Sequence, residues 1–272
     1  MDTRQTDARA TYVFDLDGVI TDPNDSSVDS SAVRHIYDLL EQGCLVAVNS
    51  GRSFEWVDAN LLNALEGLDA SGHFDRLLVV CEKGGECVTW SGAGFDAKPS
   101  RFALPQDMYD LTRQTFEDNA ASLPTMFWDA TKKTMATIEK EPAADLSRFS
   151  QEQQVLAERL RNALHGKDVR IDTTTIATDV ESPQAGKHAG AELVYEWVSE
   201  RLGTRPEAFV SFGDSKSDYA MAAYFAQQKC HSAFVFVGSD TDEFDEQAGV
   251  QTIRTTAKYA AGTREYFENN TL

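Results

Sequence analysis

The sequence predicts an α/β fold: a Rossmann-like parallel sheet with helices on both faces, plus an inserted α+β segment built on an antiparallel sheet. Three observations predict it. Short apolar runs alternate with amphipathic helical stretches up to about residue 91, the same alternation returns from about residue 182, and between them the order changes to helix then hairpin, twice. The expected division is a core split between residues 1–91 and 182–272, around an insert of residues 92–181.

The first strand is "TYVFDL", rich in β-branched and aromatic residues and too short for a helix. "SSAVRHIYDLLEQG" follows as a helix, with Val33, Ile36, Tyr37 and Leu40 on one face and Gly43 as its stop. "CLVAVNS" is the second strand, "SFEWVDANLLNAL" lies near a second helix, and "RLLVVCE" is the third strand. Such continuous apolar runs suit strands buried on both faces, as in a helix-covered parallel sheet. In the insert, "QDMYDLTRQTFEDNA" reads as a helix, "TMFWDA" and "KTMATIEK" as strand pieces, "LSRFSQEQQVLAERLRNAL" as a long helix, and "DVRIDT" and "TIATDVE" as two more strands. The core then resumes with helix "KHAGAELVYEWVSERLG", strand "AFVSF", helix "SDYAMAAYFAQQ" and strand "AFVFVG". The acidic stretch "SDTDEFDEQ" reads as a solvated loop or helix start.

Composition narrows the function classes. A chain of 272 residues can bury a full core, as one large domain or two ordinary ones. Its formal charge of −19 repels nucleic acid and anionic lipid, so a phosphate-bearing ligand needs a locally positive site. The apolar runs fall short of a membrane span, and "MDTRQTDARA" has no signal-peptide core, so the expected location is the cytoplasm. Cys44, Cys81, Cys87 and Cys230 show no C-x-x-C spacing, which argues against disulfides or a zinc site. The five histidines, His35, His73, His165, His188 and His231, show no metal-ligand spacing.

Four features at the ends of core elements carry chemistry. "YVFDLDGVITD" places Asp15 and Asp17 one residue apart at a strand end, on one side and roughly 7 Å from each other, followed by the turn-permitting Gly18. Buried carboxylates need compensation, by a cation or a reacting group. A calcium loop does not fit, because Val19, Ile20 and Ser26 stand where its fifth, sixth and twelfth positions fall. "VAVNSGRS" puts Ser50, Gly51 and Arg52 past the second strand, "SPQAGKHAG" puts Lys187 at a helix start, and "FVSFGDSKSD" puts Asp214 and Asp218 past a later strand. Alone, these read as a polar loop, a common turn, a solvated lysine and an ordinary helix cap. In an open α/β sheet, however, ligands bind beyond the carboxyl ends of the strands, where all four can converge. A G-x-S-x-G elbow and a P-loop are both absent.

In this order the four features resemble the motifs of the haloacid dehalogenase-like phosphohydrolase superfamily. The insert between Ser50 and Lys187 resembles the large α/β cap of its Cof-type branch, which also includes sucrose-phosphate phosphatases and phosphomannomutases. The resemblance implies a phosphatase acting on a small phosphorylated metabolite, such as a sugar phosphate, with Asp15 as nucleophile and Asp17 as acid/base. It implies Mg2+ held by Asp15, the Asp17 backbone carbonyl, Asp214 and Asp218, and a phosphoryl group held by Ser50 and Lys187 beside Gly51 and Arg52. A phosphomutase or phosphotransferase using the same aspartyl-phosphate, and a non-catalytic binding protein on this fold, are the alternatives. The chain departs from the Cof-type pattern in having His188 after Lys187, Ser215 and Ser217 in place of asparagine, and Lys83 where Glu-Asn-Gly is common. Lys83 reads equally as a solvated turn residue, and Trp128, Lys133 and Arg148 are candidate cap contacts that suit packing or surface roles as well.

Overall fold

The computed structural model describes residues 10–23, 25–239 and 246–270, so most of the acidic stretch after Ser239 lies outside the described residues. The chain runs through β1 (Ala10–Phe14), α1 (Ser30–Glu41), β2 (Val46–Asn49), α2 (Phe54–Val57), a π-helical turn (Asp58–Leu62), α3 (Asn63–Glu66) and β3 (Leu77–Cys81). A hairpin of β4 (Glu86–Trp90) and β5 (Phe95–Pro99) precedes α4 (Gln106–Glu117), β6 (Met126–Trp128), β7 (Ala136–Lys140), α5 (Leu146–Ala163), β8 (Arg170–Thr173) and β9 (Ala177–Glu181). Last come α6 (Lys187–Leu202), β10 (Ala208–Gly213), α7 (Tyr219–Gln227), β11 (His231–Phe236), β12 (Val250–Arg254) and α8 (Ala260–Asn269).

The larger sheet has the order β12-β11-β10-β1-β2-β3-β4-β5. It is parallel from β12 to β3 and antiparallel through the hairpin. Side chains alternate across it with the period of a strand. Tyr12 and Phe14 pack with Ile36 and Leu39 of α1 and Phe267 of α8, while Val13 on the other face packs with Val194 of α6 and Phe225 of α7. Helices therefore cover both faces. Phe14 stacks on Phe212 with ring centroids 4.5 Å apart, and burial of each such side chain contributes about 1.5–3 kcal/mol.

The second sheet, β6-β7-β9-β8, is antiparallel throughout. One face, with Ala136, Ile138 and Val180, packs on Phe149, Leu156 and Leu160 of α5 and on Phe116 of α4. By alternation, the other face carries Thr137, Glu139, Asp179 and Glu181.

The sequence pattern changes at Gly92, but Phe95–Pro99 pairs along β4, so the larger sheet extends to Pro99. The hairpin strands are half-buried and mixed in polarity, and they are held by Trp90 and Phe95 packing on Phe74 at 5.4 and 5.0 Å, a contact with no periodic signature. Among the described residues no helix is long and apolar enough to cross a membrane.

Candidate active site

The carboxyl ends of β1, β2, β3 and β10 lie side by side, because β1 pairs with β10 and β2, and β2 with β3. Asp15 leaves β1 buried, at 6% exposure, and its Oδ1 accepts the Leu16 amide at 2.6 Å. The chain then folds back, with the Leu16 carbonyl accepting the amides of Ile20 and Thr21 at 3.0 and 3.1 Å. Gly18 makes this possible: its φ is +69°, and a Cβ there would run into the Asp214 carboxylate.

Lys187 opens α6, so its cationic group arrives from a helix N-terminus that already favours anions. Its Nζ pairs with Asp15 Oδ1, lies 2.9 Å from Asp218 Oδ1 and donates to the Asn49 carbonyl at 2.8 Å. Asn49 returns the bond through Nδ2 to the Lys187 carbonyl at 2.8 Å. Gly190 leaves room for that amide, since a Cβ there would collide with it. Burial works against the lysine's charge, but Asp15 and Asp218 more than offset it and hold its pKa above the ordinary value.

Carboxylate oxygens of Asp15, Asp214 and Asp218 all lie within 4.8 Å of one another. Burial, and then the charge of Asp218, raise Asp15 well above the carboxylate range, with Lys187 opposing. Asp214 is pushed up to about 7 by burial and by Asp218. Asp218 goes the other way: burial would raise it, but Lys187 and the Ser215 hydroxyl, which donates to Oδ2 at 2.6 Å, lower it. This hard, oxygen-only donor set, with two of its three members held reluctant to ionise, fits a small divalent cation such as Mg2+.

The Asp17 carboxylate is engaged elsewhere. Arg52 grips it through Nε at 3.0 and 3.1 Å and Nη2 at 2.6 Å, while its guanidinium carbon lies 4.8 Å from the Trp56 ring centroid. Arg52, expected beside a phosphoryl group, is paired here with the Asp17 carboxylate. Ser50 is fully buried and its Oγ accepts the Arg52 amide at 3.1 Å, whereas the Gly51 carbonyl accepts Lys132 from the loop before β7. The structure therefore gathers Asp15, Lys187, Asp214 and Asp218 into one cluster, with Ser50 following Asn49, and pairs Asp17 with Arg52 at its rim.

Among the remaining candidates, Lys83 is no solvated turn residue: its Nζ lies 2.8 and 2.9 Å from Asp179 and Glu181 of β9. Trp128 packs on Tyr109 with centroids 5.3 Å apart, Arg148 pairs with Glu152 at the surface, and Lys133 reaches Glu55 at 3.3 Å. His188 is exposed. Asn49 and Lys132 are site residues that motif reading missed. Asn49 was open to discovery as a polar residue ending an apolar strand, but "TKKT" carries no local signal for Lys132.

No family model and no curated protein matches the chain. Solved structures do. A haloacid dehalogenase-like hydrolase of Bacteroides thetaiotaomicron is 15% identical over 96% of this chain and 98% of that one, with a TM-score of 0.66. The C-terminal domain of a C. albicans trehalose-6-phosphate phosphatase is 13% identical over 96% and 91%, with a TM-score of 0.67. A Thermoplasma acidophilum protein is 16% identical over 96% and 97%, with a TM-score of 0.62. At these identities the likeness is one of fold.

Proposed function

From the premise of a haloacid dehalogenase-like fold, we propose that this chain is a magnesium-dependent phosphatase that hydrolyses a small phosphomonoester through an aspartyl-phosphate. The observation that carries the reading is Lys187 set between Asp15 and Asp218, with Asp214 completing an oxygen cluster at the strand ends.

Asp15 attacks phosphorus as the bond to the leaving oxygen breaks, and Asp17 gives that oxygen a proton. Asp17, now a carboxylate oriented by Arg52, takes a proton from the water that splits the aspartyl-phosphate, freeing phosphate and restoring Asp15. Lys187 and Ser50 hold the phosphoryl oxygens as their charge redistributes. Asp15, Asp214 and Asp218 would hold Mg2+, aided by the Asp17 carbonyl, and the bound ion supplies the positive charge that lets carboxylates and phosphate crowd together.

For the substrate we propose a sugar phosphate. The fold shared with a protein described as a trehalose-6-phosphate phosphatase supports this. That sheet is read as the cap of a Cof-type enzyme, inserted into a split core. The proposed setting is the cytoplasm, where the four unpaired cysteines would stay reduced. The test is release of phosphate from p-nitrophenyl phosphate, with Mg2+ and with excess chelator. Hydrolysis that chelation abolishes supports the reading. Full activity in chelator would overturn the metal assignment, and no activity with Mg2+ would favour a binding protein.

A further inference from the structure

The tripeptide Glu82-Lys83-Gly84 follows β3 and takes part in none of the chemical steps above, yet it touches both halves of the molecule. Its three residues have φ of +52°, +57° and +97°, a left-handed run that side chains with a Cβ rarely adopt. Through its backbone it holds the phosphoryl loops. The Glu82 amide donates to the Arg52 carbonyl at 3.0 Å, the Lys83 amide to the Ser50 carbonyl at 3.0 Å, and the Gly186 amide, next to Lys187, to the Lys83 carbonyl at 2.7 Å. Gly84 lies against the first turn of α6, where a Cβ would meet that of Ala189 at 3.0 Å.

Through its side chains the same tripeptide holds the second sheet. The Glu82 carboxylate, 1% exposed, accepts the amides of Lys133, Thr134 and Met135 at 3.0, 2.7 and 3.1 Å and the Thr134 hydroxyl at 2.8 Å. Lys83 reaches Asp179 and Glu181 on β9. We propose that Glu82 and Lys83 are positioning residues that transmit the seating of the antiparallel sheet to the backbone of Ser50 and Gly186. The phosphoryl clamp is then fully assembled only when that sheet is in place. This rests on the phosphatase reading. It differs from simple adhesion between the sheets because the anchoring side chains and the loop-holding backbone groups belong to the same two strained residues.

The test compares Glu82→Gln, Lys83→Met and the conservative Lys83→Arg. With p-nitrophenyl phosphate, whose leaving group needs no cap contact, kcat should fall about 10- to 100-fold in the first two, with KM changed less than about threefold. Orthovanadate inhibition should weaken in step, and Lys83→Arg should restore most of the rate. Hydrogen exchange at the amides of Glu82, Lys83 and Gly186 should speed up about tenfold or more in Glu82→Gln, and much less in Lys83→Arg. Unchanged kcat with those amides still protected would overturn the proposal, leaving the two side chains as adhesive only. A parent protein that hydrolyses nothing would overturn the phosphatase reading instead, and the exchange would then decide the coupling: faster supports it, unchanged protection overturns it. Should Glu82→Gln fail to fold, Thr134→Val removes one donor from the same carboxylate and carries the same exchange test.

Discussion

Replacing Asp214 with asparagine should stabilise the metal-free protein, although it removes a group the proposed chemistry needs. In the fold its carboxyl titrates at about 7, against an ordinary value of 3.8. Below pH 4 both folded and unfolded chains hold the proton, and Asp214 is neutral in stability. Between pH 4 and 7 the folded chain keeps a proton that the unfolded chain releases, so stability falls as pH rises and then levels off. The distance between 3.8 and about 7 corresponds to about 4 kcal/mol. The carboxyl is partly open to water, and screening reduces this to about 2 kcal/mol. The asparagine side chain avoids the penalty while keeping the shape, so in chelator at pH 8 the Asp214→Asn melting point should rise by about 4–8 °C. The gain should vanish near pH 4. Mg2+ should raise the melting point of the parent and leave that of the variant nearly unchanged, by linkage to binding. Differential scanning calorimetry at the two pH values, with and without Mg2+, reads all of this. A variant no more stable than the parent at pH 8 in chelator, or a gain undiminished at pH 4, would refute the reasoning.

Two further substitutions probe the loops. Ser50→Ala should lower kcat on p-nitrophenyl phosphate by about 10²–10³, the scale of one preorganised donor, and lower the melting point by a few degrees, since the Arg52 amide loses its acceptor; an unchanged rate would return Ser50 to a turn role. Gly18→Ala combines a left-handed φ with a collision against Asp214, so it should weaken Mg2+ binding measured calorimetrically by at least about tenfold; unchanged affinity would show that the turn yields freely.

Much of this was legible in the sequence for a local reason. A strand buried on both faces advertises itself as an apolar run, and Asp15, Ser50, Lys187 and Asp214 each stand at the end of such a run or at the start of a helix. Their order along the chain and the parallel sheet together bring them to one edge. The hairpin of β4 and β5 escaped notice because half-buried strands such as "FDAKP" give no continuous apolar run, and the alternation there rests on a single large apolar residue, Phe95. β12, with Val250 and Ile253 only partly buried, escaped for the same reason. The partnerships of Arg52 with Asp17, across 35 residues, and of Glu82 with Thr134, across 52, depend on where the sheets come to rest, which no spacing rule encodes. Arg52 stands two residues after Ser50 in "NSGRS", and only the fold shows that its guanidinium faces a carboxylate.

The central claim, that Asp15 is the nucleophile and Asp17 the proton carrier, is tested most directly by rapid-quench trapping of labelled enzyme. Asp15→Asn keeps the size and polarity of the side chain but removes the attacking carboxylate, so no label should remain on the protein. Asp17→Asn keeps the nucleophile and removes the general base for the second step, so with a good leaving group label should form and persist. The account predicts this contrast. Label trapped on Asp15→Asn at the same site as on the native enzyme would contradict it.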